Sequence, residues 1–550
     1  MTCGEGPLRA VYYQDAPNGG PQNLIVNISR DYGVTWDPAS NLTQWNADWI
    51  SYPSCVAADG VLHLVFEAQL PGVGWRACYF RSEDEGLTWT SRVFPDPIPH
   101  GYGTSIAAHG TDVVLSYSWV PPFSTFSGGE PVFRWSRDGG GTWGARLGTS
   151  GAMVRPAKWV AHLVVHDGSA YALVLAAPNG SVYLRDTYVW ISHAGGPWHP
   201  QRIDQDLGMT GHPTNGMLAV HGDDVQAFWI EEGRNGVPYS DYKLYQRRSP
   251  DRGASWSPEV VLAAPPSSSD WLSDVRVGRD PIDGQVLSVS WEQHLVGVGS
   301  PGMVQVSTDS GATFGPPVTL PAGPHGTPAF GSRDCLVEGP VVAVLGQDKT
   351  YLASRGGRPV LHLSTDAGST WVGGIPFGEF PSGFQGGSGS AFNPVSALSH
   401  GSLHTVWRRY ESSKPGGGTQ TRMYVQGIRV PFAEASLSGR NLVLQLHGIP
   451  SNLVGATARW ALSEAAGSSP HPENPALQLE LGPSKLLLAS LTARGIARLS
   501  ATVVAPGVAV TAPIPIPPAV PAGVSIRVQG WVNPGGLGLP PSDLTAFVTP

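Results

Sequence analysis

The chain has 550 residues, with 34 Lys and Arg against 42 Asp and Glu and a formal charge of −8. That length buries a large core and implies several domains or one long repeat array, while the few basic residues and the lack of a basic run speak against nucleic acid as a partner. No run of about twenty apolar residues occurs, so no helical membrane span is expected. The 70 Gly and 51 Pro beside 19 Trp point to an all-β chain of short strands and tight loops.

In chain order, Met1-Thr2-Cys3-Gly4-Glu5-Gly6 shows neither the basic start nor the apolar run of a secretory signal. The four cysteines, Cys3, Cys55, Cys78 and Cys335, lack a C-x-x-C pair or zinc spacing, and they allow two disulfides without requiring any. Strands are predicted over residues 8–14 and 23–28, and the second runs into the octet Ser29-Arg30-Asp31-Tyr32-Gly33-Val34-Thr35-Trp36. The pattern returns beginning at Ser82, Ser136, Ser249, Ser307 and Ser364, ending at Trp89, Trp143, Trp256, Phe314 and Trp371. The steps are 53, 54, 113, 58 and 57 residues, and a worn copy from Ser192 to Trp198 halves the long one. A fixed period of this size signals a repeat architecture. Within each copy, Asp and Ser side chains bond nearby backbone and close a turn. The Gly supplies a positive φ, and the aromatic residue is expected to plug between neighbouring sheets. Each octet is therefore read as a hairpin corner whose aspartate is structural.

The octet resembles the Asp-box, or bacterial neuraminidase repeat, of sialidases, several other glycosidases and non-enzymatic propellers, over residues 7–431. The resemblance implies a β-propeller in which the box joins the third and fourth strands of a four-stranded blade, away from the ligand-binding mouth. It also implies an extracellular, bacterial protein. A second strand is predicted for each unit, from residues 8–14 and 61–67 through to 403–408, making eight units. The first unit lacks an inner strand and the last lacks a box, so the two ends are expected to complete the ring. First strands are led alternately by Asp48-Trp49, Lys158-Trp159, Asp270-Trp271 and Phe384, and by His100, His212 and His325. This alternation makes eight blades the preferred count and seven the next. After Val430-Pro431 the predicted strands at 442–446, 476–481, 497–504 and 525–532, with a Pro-rich stretch at 513–521, suggest a β-sandwich. The expected division is 1–431 for the propeller and 432–550 for the sandwich.

In a propeller, the ends of second strands and the starts of first strands share the mouth. Glu67, Glu232 and Glu292 are the candidate catalytic carboxylates, since glycoside hydrolysis uses two carboxyl groups about 5–10 Å apart. Trp49, Tyr102, Trp119, Trp159, Trp271, Arg408, Arg409 and Tyr410 are the candidate ligand-binding residues. Rings stack on the apolar face of a sugar, while charged groups bond its hydroxyls or an acid. Trp229, Trp291 and Trp407 are read as packing, and Glu231-Glu232 as a solvated rim. His100, His212 and His325 are too widely spread around a ring for metal bonds near about 2 Å, so no metal and no cofactor is expected. The sialidase resemblance implies an arginine clamp, a Tyr nucleophile paired with Glu, and an Asp acid/base. Its Arg-Ile-Pro motif is absent: Val154-Arg155-Pro156 follows the third box, and Asp15 lacks the surrounding motif. Arg333 and Arg408 are the candidates for a clamp. Three functions are expected, in this order. The first is a secreted propeller that binds glycans or cell-surface polymers, or serves as a structural component; the second is a sialidase-like or other glycoside hydrolase. The third is a homo-oligomer or fibre assembled by strand exchange.

Overall fold

The structure is a computed structural model. It describes residues 8–14, 22–29, 37–42, 47–98, 103–119, 130–147, 159–176, 186–205, 212–233, 241–281, 283–321, 330–348, 358–364, 367–376, 391–399, 402–412, 419–429 and 432–438, and the strands after 440. Among these residues there is no helix. The chain forms two compact units. The first comprises Met1–Val337, Val342–Ala397 and His404–Gln426, and the second Glu338–Val341, Leu398–Leu403 and Gly427–Pro550.

Eight antiparallel sheets follow one another up to residue 429. Sheet A holds β1 (Leu8–Gln14), β2 (Asn23–Ser29) and β3 (Ser40–Asn41). Sheet B holds β4 (Trp49–Ala58), β5 (Val61–Leu70), β6 (Gly74–Ser82) and β7 (Thr90–Pro97). Sheet C has β8 (Thr104–His109), β9 (Asp112–Trp119) and β10 (Glu130–Ser136), with a lone bridge from Phe133 to Leu147 at its outer edge. Sheet D has β11 (Trp159–His166), β12 (Ser169–Ala176), β13 (Asp186–His193) and β14 (His199–Arg202). Sheet E has β15 (His212–His221), β16 (Asp224–Glu232), β17 (Lys243–Ser249) and β18 (Val260–Ala263). Sheet F has β19 (Trp271–Arg279), β20 (Leu287–His294), β21 (Gly302–Ser307) and β22 (Val318–Thr319). Sheet G has β23 (Phe330–Glu338), β24 (Val341–Asp348), β25 (Arg358–Ser364) and β26 (Val372–Pro376), and sheet H has β27 (Ala391–Ser399), β28 (Ser402–Ser412) and β29 (Thr419–Arg429). In every sheet the spatial order of strands is their chain order, so short connections suffice.

The box chemistry is built as the residue types require. In the box of sheet F, Ser307 Oγ donates to Asp309 Oδ1 at 2.7 Å, and Gly311 N donates to Ser307 Oγ at 2.7 Å. Thr313 N reaches Asp309 Oδ1 at 2.9 Å, and Thr313 Oγ1 donates to Oδ2 at 2.5 Å. The same four bonds close the boxes around Asp84, Asp138 and Asp251. These bonds favour the ionised carboxyl, holding Asp84, Asp138 and Asp309 down at about 2. Asp31 and Asp366 lie outside the described residues.

The boxes also join each sheet to the one before it. Gly253 of sheet E has φ 89°, and a Cβ there would stand 2.1 Å from Ile191 Cδ1 of sheet D. Gly140 presses on Tyr79, Gly311 on Gln226 and Gly368 on Val306, in each case a side chain of the preceding sheet. The box aromatics do the same. Trp198 stacks on Phe133 with centroids 4.0 Å apart, and Trp143 meets Tyr79 edge-on at 4.8 Å. Trp256 Nε1 donates to Gln201 Oε1 at 2.7 Å. Further in, β1 packs on β4, β4 on β8, β8 on β11, β11 on β15 and β15 on β19. Trp190, Trp229 and Trp291 are fully buried, each removing enough apolar area for roughly 2–3 kcal/mol. Cys55 is disulfide-bonded, whereas Cys78 and Cys335 are buried free thiols.

The second unit holds two four-stranded antiparallel sheets and a hairpin. One sheet pairs Phe432–Ser438, Asn441–Ile449, Gly507–Val510 and Ile514–Pro515. The other pairs Ser500–Thr502, Thr457–Ser463, Ser525–Asn533 and Thr545–Val548.

Candidate functional site

Backbone bonds fix which end of the sheets carries the boxes. Gly139 N donates to Thr111 O, Ala194 N to Gly168 O, Arg252 N to Asp223 O and Ser310 N to Gln285 O. Each bond ties a box to the turn between first and second strands. The starts of first strands and the ends of second strands therefore meet at the opposite end, the mouth.

A β-bulge interrupts the first strand just inside the mouth in sheets B, D, E and F. The register shifts between Ser51 and Ser54, Val160 and His162, Pro213 and Asn215, and Ser273 and Arg276. Bulges of this kind bend a strand and re-aim its side chains. The residue just before the bulge faces Glu67 in sheet B, Glu231 in sheet E and Glu292 in sheet F, while sheet D places Val174 there. Glu67, Glu231 and Glu292 are thus equivalent carboxylates, and all three are buried. Glu232 stands one step further out, paired with His212. The pair Glu231-Glu232 is walled in rather than forming a solvated rim, with Trp229 Nε1 donating to Glu231 Oε2 at 3.1 Å.

Sheet F shows the most complete arrangement. The Trp271 ring lies parallel to His294, with centroids 4.5 Å apart and planes 12° from coplanar, yet the residue is 40% exposed. Both nitrogens of His294 are engaged: Nε2 lies 2.9 Å from Ser273 Oγ, and Nδ1 lies 2.8 Å from Ser300 Oγ. Ser273 Oγ also approaches Glu292 Oε2 at 3.4 Å, and that oxygen is 3.5 Å from His294 Nε2. Asp270 steadies the adjoining turn by accepting from Val296 N at 2.8 Å and from Ser267 Oγ at 2.7 Å. Those bonds, the backbone one foremost, lower its pKa. Sheet B repeats part of the plan, with Gln69 at the position of His294. Trp49 is 50% exposed, and Ser51 Oγ donates to Glu67 Oε2 at 3.3 Å.

A third group lies where sheets D and E adjoin. Asp204 accepts from Thr187 N and from Arg202 Nε, and Arg202 Nη2 also lies 3.1 Å from Asp186 Oδ1. Burial pushes the Asp204 carboxyl up to about 7 against those bonds, with Glu231 and Asp186 adding to the rise. Sequence reasoning missed Asp204, His294 and the equivalence of Glu231. A usable signal was present only for sheets B and F, where Trp49-Ile50-Ser51 and Trp271-Leu272-Ser273 share a pattern.

The other sequence candidates are placed less openly. Trp119 is half-buried, and the Arg146 guanidinium covers its ring at 3.9 Å. Trp291 and Trp229 are core, as read from the sequence. Tyr102, His100 and His325 lie outside the described residues, as do the side chains of Trp159, His212, Arg333, Trp407, Arg408, Arg409 and Tyr410.

No protein-family model matches the chain, and no curated protein matches it either. Solved structures similar to it include an α-L-arabinanase of Penicillium chrysogenum complexed with arabinobiose, 17% identical, covering 54% of this chain and 88% of that one at a TM-score of 0.35. An α-L-arabinofuranosidase of Fusarium graminearum with an iminosugar inhibitor is 14% identical over 70% of this chain and 94% of its own, with a TM-score of 0.37. The Trypanosoma rangeli sialidase in complex with sialic acid is 11% identical over 100% and 89%, with a TM-score of 0.34.

Proposed function

We propose that the chain is a carbohydrate-recognition protein whose eight sheets are the blades of a β-propeller closed between sheets A and H, followed by a β-sandwich. The observation that carries the functional reading is the Trp271–His294 stack, exposed on one side and backed by Ser273 and buried Glu292. A flat ring held rigid by its neighbour suits the apolar face of a sugar, and a carboxylate and hydroxyls beside it suit the sugar's own hydroxyls. Trp49, exposed and followed by the hydrogen bond from Ser51 to Glu67, offers a second ring in sheet B, facing Gln69 where sheet F has His294. The disulfide at Cys55 supports an oxidising, extracellular setting.

A glycan array probed with the full chain tests this reading. The expected result is a carbohydrate ligand whose binding weakens in Trp271→Ala and, to a lesser degree, in Trp49→Ala. An array with no binding, or binding untouched by both variants, contradicts it. The second reading, a glycoside hydrolase, is favoured by Asp204 beside Glu231. A carboxyl pushed up to about 7 within electrostatic reach of a second carboxylate is a combination that general-acid chemistry uses. Turnover of arabinosides or sialosides that is lost in both Asp204→Asn and Glu231→Gln would establish that reading over simple recognition.

A further inference from the structure

The box end carries a cluster that the sugar reading does not use. His109 closes β8 and His166 closes β11, and Asp167 follows in the turn to β12. These turns belong to consecutive sheets, so the three side chains stand together on the face away from the mouth. His109 Nδ1 lies 3.6 Å from Asp167 Oδ1, and His166 Nε2 lies 3.5 Å from Asp167 Oδ2. The two imidazole rings are 4.6 Å apart at their centroids, and one ligand atom from each residue lies within 4.8 Å of the other two.

We propose that His109, His166 and Asp167 form a binding site for one borderline divalent cation, with zinc as the reference ion and water in the fourth position. Tetrahedral ligands at bond lengths of about 2.0–2.1 Å are separated from one another by roughly 3.3 Å. Each imidazole therefore already stands at nearly that separation from the Asp167 carboxylate, His109 from Oδ1 and His166 from Oδ2, before any ion arrives. Two imidazoles with one carboxylate select zinc, nickel or copper over calcium and magnesium, which prefer all-oxygen sets. The side chains of His109 and Asp167 are 46% and 51% exposed, which leaves a way in and room for the water. Two hydrogen bonds must yield. His166 Nε2 accepts from Gly222 N at 2.8 Å, and His109 Nδ1 accepts from Asp167 N at 3.4 Å. Both amides sit in surface turns, where water replaces the lost acceptor. His221 continues the row, with its ring 5.9 Å from His166, and lies outside the three-atom group.

Equilibrium dialysis of the full, chelator-stripped chain against zinc chloride alone tests the site, with calcium chloride as the comparison. The expected result is one zinc per chain and no calcium at the same concentration. Affinity should fall by about tenfold or more in His109→Ala and in Asp167→Asn. His109→Gln serves if the alanine variant fails to fold. Cobalt(II) supplies a second readout: the visible bands of tetrahedral coordination should appear in the native chain and vanish in Asp167→Asn. Zinc retained unchanged by these variants places the ion elsewhere and overturns the proposal. So does a chain that holds no zinc at about 100 µM, far above the range of structured sites.

Discussion

The two ends of each sheet are specified in different ways. At the box end, Ser82, Asp84, Gly86 and Thr88 satisfy one another within seven consecutive residues, and the turn needs nothing distant in order to close. At the mouth, Ser273 meets His294 across 21 positions, and Asp270 meets Val296 across 26. Local chemistry writes the first end and sheet register writes the second. The box end can therefore repeat almost unchanged from sheet to sheet, while the mouth varies its side chains around a fixed bulge. A scaffold that holds one end constant leaves the other free to acquire a ligand.

Substitution of a box glycine should break this comparison most severely. Gly253→Ala places a Cβ at φ 89° and 2.1 Å from Ile191 Cδ1. Left-handed strain of about 1–2 kcal/mol then adds to overpacking of about 1–3 kcal/mol. Gly222, at φ 57° with nothing within 4 Å, carries only the first cost. Denaturant midpoints should rank Gly253→Ala well below Gly222→Ala. Equal losses would mean that the box turn is not seated on the preceding sheet.

The second effect is a pH slope. Asp204 holds its proton up to about 7 in the folded chain, more tightly than the ordinary unfolded value near 4. Its contribution to stability is therefore complete below about pH 4 and declines as pH rises toward 7. Asp204→Asn should flatten that decline in unfolding titrations, and an unchanged slope would place the buried charge elsewhere. The boxes have the opposite sign. Asp84, Asp138 and Asp309 titrate at about 2 in the folded chain, so their contribution is full above about pH 4 and is lost as pH falls toward 2. Acid unfolding of Asp309→Ala should show a shallower dependence in that window. At neutral pH its stability should be lower by about 1 kcal/mol, from the lost turn bonds.

The same contrast explains what the sequence revealed. The octets were legible because their hydrogen bonds are local and each residue type has one job there, and the strands before them carried plain apolar patterns. Trp229 and Trp291 were readable as core for a related reason, lying at like points in successive units. The mouth was legible only in outline. The sequence singles out Trp49 and Trp271, whose rings are exposed at that end, and it points to Glu232, whereas the bulge after Pro213 makes Glu231 the register counterpart of Glu67 and Glu292. A bulge changes register without leaving a motif, so no count along the chain locates it. Trp119 carries the same sequence signal as Trp271, but Arg146, 27 positions away beside the lone bridge at Leu147, covers its ring. Asp204 follows β14 with no signature at all, and its raised pKa comes chiefly from burial.

The central claim, that the mouth binds carbohydrate while the boxes only build the scaffold, is tested most directly by one affinity comparison. The strongest ligand from the glycan array would be titrated against the native chain, Trp271→Ala and Asp309→Ala. The account predicts about a tenfold or greater loss for Trp271→Ala, equivalent to about 1.4 kcal/mol, with affinity unchanged in the box variant. Loss of binding in Asp309→Ala while Trp271→Ala binds normally would contradict it.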